Sequence, residues 1–349
     1  MNDDVSMKEI GSDKEVASLR SIWGELTRSA MHAGALRIGA SAIDDEHVEL
    51  FGQWLERKLE GQMHYLRRSE AVRRDPLQRF PWARSVIVIT VPYSPNRPSA
   101  PDGALSNHMA RYALGDDYHE VLDAILCRIE ETLRQLVPEV SSRRYVDTGP
   151  LSDRSYAAQA GLGWIGRSGM LIDERNGSYF LIGTLLTSLE NDLSPELVAD
   201  RCGTCTRCVD ACPTAAILPD RLVDSQRCIS HATIETRGAI DDWMKSRLEG
   251  NVFGCDICQE VCPWNRFAPA GHESFEPREQ YRSTPVTDLL RMDQAQFSTM
   301  FRRSAAKRAK RAGMIRNALL ISDVPTEELE RVASETDSGI LDAVQWKRV

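Results

Sequence analysis

The sequence predicts an α+β protein in three parts: an N-terminal mixed α/β domain over 1–190, a ferredoxin-type domain over 191–268 and a short helical C-terminal region over 269–349. Three observations predict it. Strand-like apolar runs and amphipathic helical patterns are mixed over the first part without regular alternation. Eight of the nine cysteines crowd between Cys202 and Cys262, in turn-dense and apolar-poor sequence. From about 285 onward the apolar spacing turns mostly helical.

The elements follow in order. Val16, Leu19, Ile22, Trp23 and Leu26 recur at helical spacing and predict a helix over 14–33. LRIGASAI at 36–43 is strand-like, 46–60 is a second helix, and RSVIVITVPY at 84–93 is a buried strand closed by the Pro-rich SPNRPSAPDG. The strongest helix is 117–136, with Val121, Leu122, Ile125, Ile129 and Leu133 on one face. Cys127 lies near that face and reads as a small buried hydrophobe. YVDTG predicts a strand ending in a turn, and 179–188 a further strand.

Composition bounds the function. The 349 residues suit two or three domains, and 42% hydrophobic with 27% charged residues is ordinary globular usage. Forty-three Lys+Arg against 51 Asp+Glu gives −8, which excludes a chain that is basic throughout but not a local basic face. The start, MNDD, has no basic or apolar region of a secretory signal, and no apolar run approaches membrane-spanning length. The expectation is a cytoplasmic protein with no membrane contact, where clustered cysteines hold metal rather than disulfides.

The cysteine order is specific. CGTCTRCVDACP sets Cys202, Cys205, Cys208 and Cys212 at C-x2-C-x2-C-x3-C with Pro213 next, the bacterial ferredoxin run in which the fourth thiolate reaches another cluster. Cys228, Cys255, Cys258 and Cys262 complete the count for two 4Fe–4S clusters. The crossover pairs Cys202, Cys205 and Cys208 with Cys262, and Cys212 with Cys228, Cys255 and Cys258. Zinc is the competing ligand, but it gives no role to the triplet or to the two Cys-Pro steps.

Three further stretches carry weaker signals. GLGWIG, 161–166, matches the dinucleotide fingerprint, yet it follows a helical stretch and precedes a β-type one, so its glycines are expected to pass close to a flat cofactor instead. Asp147 in YVDTGPLSDR reads either as a turn-capping carboxylate or as a buried general acid. Arg154 and Arg167 flank this region as surface charges or partners of anionic groups. Residues 302–316 hold seven basic side chains, Arg302, Arg303, Lys307, Arg308, Lys310, Arg311 and Arg316, and no acid. A solvated helix face is the ordinary reading, but the lack of compensating acids favours phosphate contact. A smaller basic cluster comprises Arg67, Arg68, Arg73, Arg74 and Arg79.

Taken in order, ARYALGDDYHEVL, VDTGPLSDR, AGLGWIGRSG, CGTCTRCVDACPTAAI, QRCIS and GCDICQEVCPWN resemble the epoxyqueuosine reductases, over about residues 60–320. The resemblance implies a cobalamin-dependent iron–sulfur enzyme, related to reductive dehalogenases, that removes the epoxide oxygen of epoxyqueuosine at the tRNA wobble position. It implies Asp147 as proton donor, with Arg73, Ser152, Arg167 and Ser230 at the cobalamin and the eight cysteines as cluster ligands. It also implies a flavodoxin- or ferredoxin-type donor and a monomer. Ala110 stands where some members carry a different cofactor-contacting residue, and the tail after 320 lacks the HEAT-like repeats of longer members. Two rival readings are a dehalogenase-like reductase of a small molecule and a cobalamin-free ferredoxin-like carrier.

Overall fold

The computed structural model describes residues 18–43, 48–94 and 96–348. Val16 and the first residues expected in two helices, 14–17 and 46–47, lie outside that range. The strands are β1 (Arg37–Ala42), β2 (Ser85–Pro92), β3 (Ser142–Tyr145), β4 (Trp164–Ile165), β5 (Leu171–Ile172) and β6 (Phe180–Thr187). One antiparallel sheet runs β1-β2-β6-β3, and β4 pairs with β5 as a separate ribbon.

The unbroken apolar run of β2 has a simple cause: both faces of the sheet are covered. Ile87, Ile89 and Val91 face one core with Leu185 of β6 and the helices Leu19–His32 and Tyr118–Leu136. Val86 and Val88 alternate to the other side, against Phe80, Leu186 and Tyr156 of the helix Asp153–Gln159. The long helix starts where Asp117 accepts a bond from the His119 N–H, and it buries Leu122, Ile125, Leu126, Ile129 and Leu133. Cys127 falls just off that stripe. It is half-exposed beside Glu131 rather than buried, because Leu126 occupies the core position one residue earlier.

A second body of core runs across the boundaries expected at 190 and 268. Leu105, Met109 and Leu114 pack with Ile229, Met244 and Phe253, and all of these with Tyr281, Phe301, Met314 and Ile340. The basic segment is not one helix. Ser304 caps a 3₁₀ turn, Ala305–Ala309, and an α-helix follows over Lys310–Ile321. Among the described residues no helix is long and apolar enough to cross a membrane.

GLGWIG is no dinucleotide turn. It carries β4, and a Cβ on Gly163 would stand 2.2 Å from the Ile172 carbonyl oxygen. Gly161, at φ +72°, ends the preceding helix and lies against the Glu196 carbonyl. The close approach these glycines permit is to the chain's own backbone.

Candidate functional site

The eight clustered cysteines fold into two groups of four. Cys202, Cys205, Cys208 and Cys262 line one cavity of about 240 Å³. In the second group, Cys212 lies near enough to raise the Cys228 and Cys255 thiols, and Cys228 and Cys255 near enough to raise Cys258. Each run thus lends its last cysteine to the other group, as the ferredoxin crossover requires. The short helices Arg207–Asp210 and Ile257–Glu260, which bear Cys208 and Cys258, pack together and bring the groups side by side.

These residues fit iron–sulfur clusters. Burial pushes Cys255 up to about 12 and Cys258 well above an ordinary thiol, and it raises Cys208, Cys228 and Cys262 as well. Such thiols stay protonated at neutral pH unless cationic iron displaces the proton. N–H groups are aimed at the sulfurs: Trp164 Nε1 lies 3.5 Å from Cys202 Sγ, and the Ala216 amide 3.3 Å from Cys212 Sγ. Such bonds stabilise thiolate charge and tune cluster potential.

Asp147 sits where β3 gives way to a turn. Its backbone is left-handed, φ +57°, a conformation Asp tolerates better than most residues. The side chain is 68% exposed, which corrects the expectation of a buried acid: the turn projects it outward. The Tyr118 hydroxyl donates to Asp147 Oδ2 at 2.8 Å, and His119 Nε2 lies 4.0 Å from the same oxygen. Gly149 packs so tightly on Tyr145 that a Cβ would come within 2.5 Å of the ring. Arg73 locks the turn from beneath, donating to the Gly149 and Leu151 carbonyls at 2.9 and 2.8 Å.

The carboxyl with a raised pKa belongs to a half-buried neighbour, Asp153. Burial pushes its carboxyl up to about 7, with the Asp147 charge adding to the rise and Arg73 opposing it. It accepts a bond from the Asp147 backbone N–H, and Thr184 Oγ1 lies 3.4 Å from it. The motif VDTGPLSDR contained this residue, but nothing in a linear pattern marks which of two aspartates has its pKa raised.

The other expected cofactor residues divide. Ser152 is half-buried at the start of the helix Asp153–Gln159, beside the Asp147 turn. Ser230, also half-buried, lies on the helix Ile229–Ile234 that leads to Glu235. Glu235 and Asp147 both act electrostatically on Tyr65 and Tyr112, so the two elements border one region. Arg167 is not gathered with them: it lines the cavity of the more exposed, outer group, Cys202, Cys205, Cys208 and Cys262, and donates to the Gly203 carbonyl at 2.7 Å. Ala110 is buried, its amide bonded to the Phe253 carbonyl at 2.7 Å, and its Cβ is what would clash with any side chain at Gly254. Arg111 next to it holds Asp256, which is 2% exposed, through its amide at 2.8 Å and its guanidinium at 3.1 Å. Asp256 links this region to the inner thiols Cys255 and Cys258.

The basic segment is changed most by folding. Arg303 pairs with Glu120, Arg308 with Glu235 and Arg311 with Glu335, so the compensating acids come from elsewhere in the chain. Arg316 is buried at 2% exposure and donates to the Ala232, Thr236 and Gly238 carbonyls; it is a core tie, not a surface contact. Among the described residues, Arg302, Lys307 and Lys310 are exposed without a carboxylate partner. Arg308 faces inward enough to feel Asp147 and lies 5.4 Å over the Tyr65 ring.

An α+β sheet domain with eight thiols crossed between two sites defines an iron–sulfur oxidoreductase. Residues 201–265 match the 4Fe-4S double cluster binding domain, and 73–148 match the family described as epoxyqueuosine reductase QueG, DUF1730. The epoxyqueuosine reductase of Cellulophaga algicola is 37% identical over 82% of this chain and 94% of its own, and that of Pseudomonas aeruginosa 34% over 81% and 80%. The solved epoxyqueuosine reductase of Streptococcus thermophilus superposes with a TM-score of 0.83 at 27% identity, covering 93% of this chain and 89% of that one. Another, solved with an epoxyqueuosine-modified tyrosine tRNA stem loop, gives 0.81 at 25% identity, covering 95% and 100%. The chain belongs to the epoxyqueuosine reductase family, and it carries a domain for two 4Fe–4S clusters over residues 201–265, the stretch that holds the eight cysteines.

Proposed function

We propose that this protein reduces epoxyqueuosine to queuosine at the tRNA wobble position, taking up two electrons and two protons and releasing the epoxide oxygen as water. The observation that carries this reading is Asp147, a carboxyl projected from a turn that Arg73 and Tyr118 hold in place. Asp147 donates the proton to the departing oxygen, and the Tyr118 hydroxyl fixes the carboxyl in the orientation that presents it. Cobalamin, when bound, supplies the strongly reducing cobalt that drives C–O cleavage. Asp147, Ser152 and Ser230 would border it, with Arg73 acting through the turn and Arg167 apart at the outer thiols.

The inner cysteine group lies behind the same region through Asp256 and Tyr112, which supports a path for single electrons from the thiolate groups toward Asp147. Arg302, Lys307 and Lys310 contact the phosphates of the tRNA, while Arg308 stands at the edge of the Asp147 region. These free basic groups favour a polyanionic substrate over the small molecule of a dehalogenase-like enzyme. In this reading the protein works in the cytoplasm as a monomer fed by a flavodoxin- or ferredoxin-type donor. The test is nucleoside analysis of tRNA from a strain lacking the protein. Epoxyqueuosine should accumulate, and unchanged queuosine removes the proposal.

A further inference from the structure

The two cysteine groups differ in what surrounds them. The inner one is packed toward Asp256, Arg111 and the large helical core. The outer one opens to solvent through a collar of four arginines, Arg167, Arg201, Arg207 and Arg266, that line the same cavity as its thiols. Four cations converging there stand out in a chain of net charge −8. Among the described residues Arg207 and Arg266 have no carboxylate partner, while Arg201 pairs with Glu174 at 3.1 Å. Phe267, beside the lining residues Trp264 and Arg266, is 46% exposed, with its ring 6.4 Å from that of Trp264 and the Arg266 guanidinium 4.5 Å over it.

We infer that this arginine collar, with Phe267 as its apolar contact, is the docking surface for a small acidic electron-carrier protein and makes the outer thiolate group the point of entry. The inference rests on the reductase reading above. A ring of positive charge around an exposed edge steers an acidic partner and fixes its approach without requiring a large interface, which suits a carrier that must leave after delivery. Each encounter moves one electron: a carrier flavin passes from anionic hydroquinone to neutral semiquinone for each electron gained at the outer group. Two encounters supply the pair that loss of the epoxide oxygen consumes.

The test uses the holoenzyme and an acidic flavodoxin as probe. Oxidised flavodoxin is titrated at low and high salt against the native protein, an Arg207→Glu/Arg266→Glu variant and its Gln counterpart. Cluster absorbance, cluster potential and dithionite-driven turnover are measured on each. Native binding should weaken with salt, and the charge reversal should weaken it by about tenfold or more at low salt, the Gln pair less. Cluster absorbance and dithionite-driven turnover should stay as in the native protein. Equal flavodoxin affinity in all three proteins overturns the inference. So does a changed cluster potential with unchanged binding, which would leave the arginines only balancing thiolate charge. Loss of tRNA stem-loop binding in place of flavodoxin binding would make the collar an RNA surface and overturn it as well. Absence of dithionite-driven turnover in the native protein would instead strike the reductase reading, leaving the titration to judge the docking surface.

Discussion

The Asp147 turn and the basic segment 302–316 are both charge-bearing stretches, and folding treats them in opposite ways. At the turn, a left-handed backbone and two Arg73 bonds beneath it leave one carboxyl pointing outward, held by the Tyr118 hydroxyl and not by an arginine or lysine. In the segment, three of seven cations meet acids brought from distant parts of the chain and a fourth is drawn into the core. Charge in sequence is therefore a poor guide to charge available for function. What counts is whether tertiary neighbours consume it.

The comparison is broken most directly at Asp147. Asp147→Asn should lower turnover by about a thousandfold, the scale of a lost general acid, with both clusters and cobalamin still bound. Turnover near native in single-turnover assays would return Asp147 to a turn-capping role.

Arg316→Met should cost about 3 kcal/mol of stability, because three buried carbonyls lose their donor together, and should shift the thermal midpoint without altering the salt dependence of tRNA binding. An unchanged midpoint with weakened tRNA binding would mean that this arginine faces the substrate after all. Replacing Arg302, Lys307 and Lys310 by Gln should have the reverse signature. Affinity for a tRNA stem loop falls, and the slope of log affinity against log salt drops by about one per lost phosphate contact. A slope equal to native would place the tRNA elsewhere.

The smallest effect is expected at Asp153. Its folded pKa of about 7 lies above the usual 3.8, so the folded state holds a proton that the unfolded chain releases. Stability should then fall as pH rises through that window and level off above it. Asp153→Asn should flatten this part of the curve, seen as thermal midpoints that vary less between pH 5 and 8 than in the native protein. A curve as steep as native would assign the slope to another group.

Much of the fold was legible. β2 announced itself by eight buried residues in a row, and the long helix by a stripe from Leu122 to Leu133, since burial on both faces or on one leaves a period in the sequence. The grouping of the thiols into two sets was equally readable, because the order of the cysteines is set by covalent spacing. Cys127 was misjudged by one position, a rotation of about 100° on a helix. Trp164 as a donor to Cys202 and Tyr118 as the partner of Asp147 had no sequence signal beyond lying in the motifs, since each contact joins residues far apart in the chain.

By itself, then, the sequence determined the α+β elements, the two sets of four thiols and the carboxylate turn. All of these depend on residue type at short range. Tertiary packing alone sets Asp147 outward and Asp153 half-buried with a raised pKa, makes Arg316 a core tie, and brings four arginines from separate segments to the outer thiols. Burial, ion pairing and pKa depend on neighbours supplied from other segments of the chain, and local pattern carries no record of them.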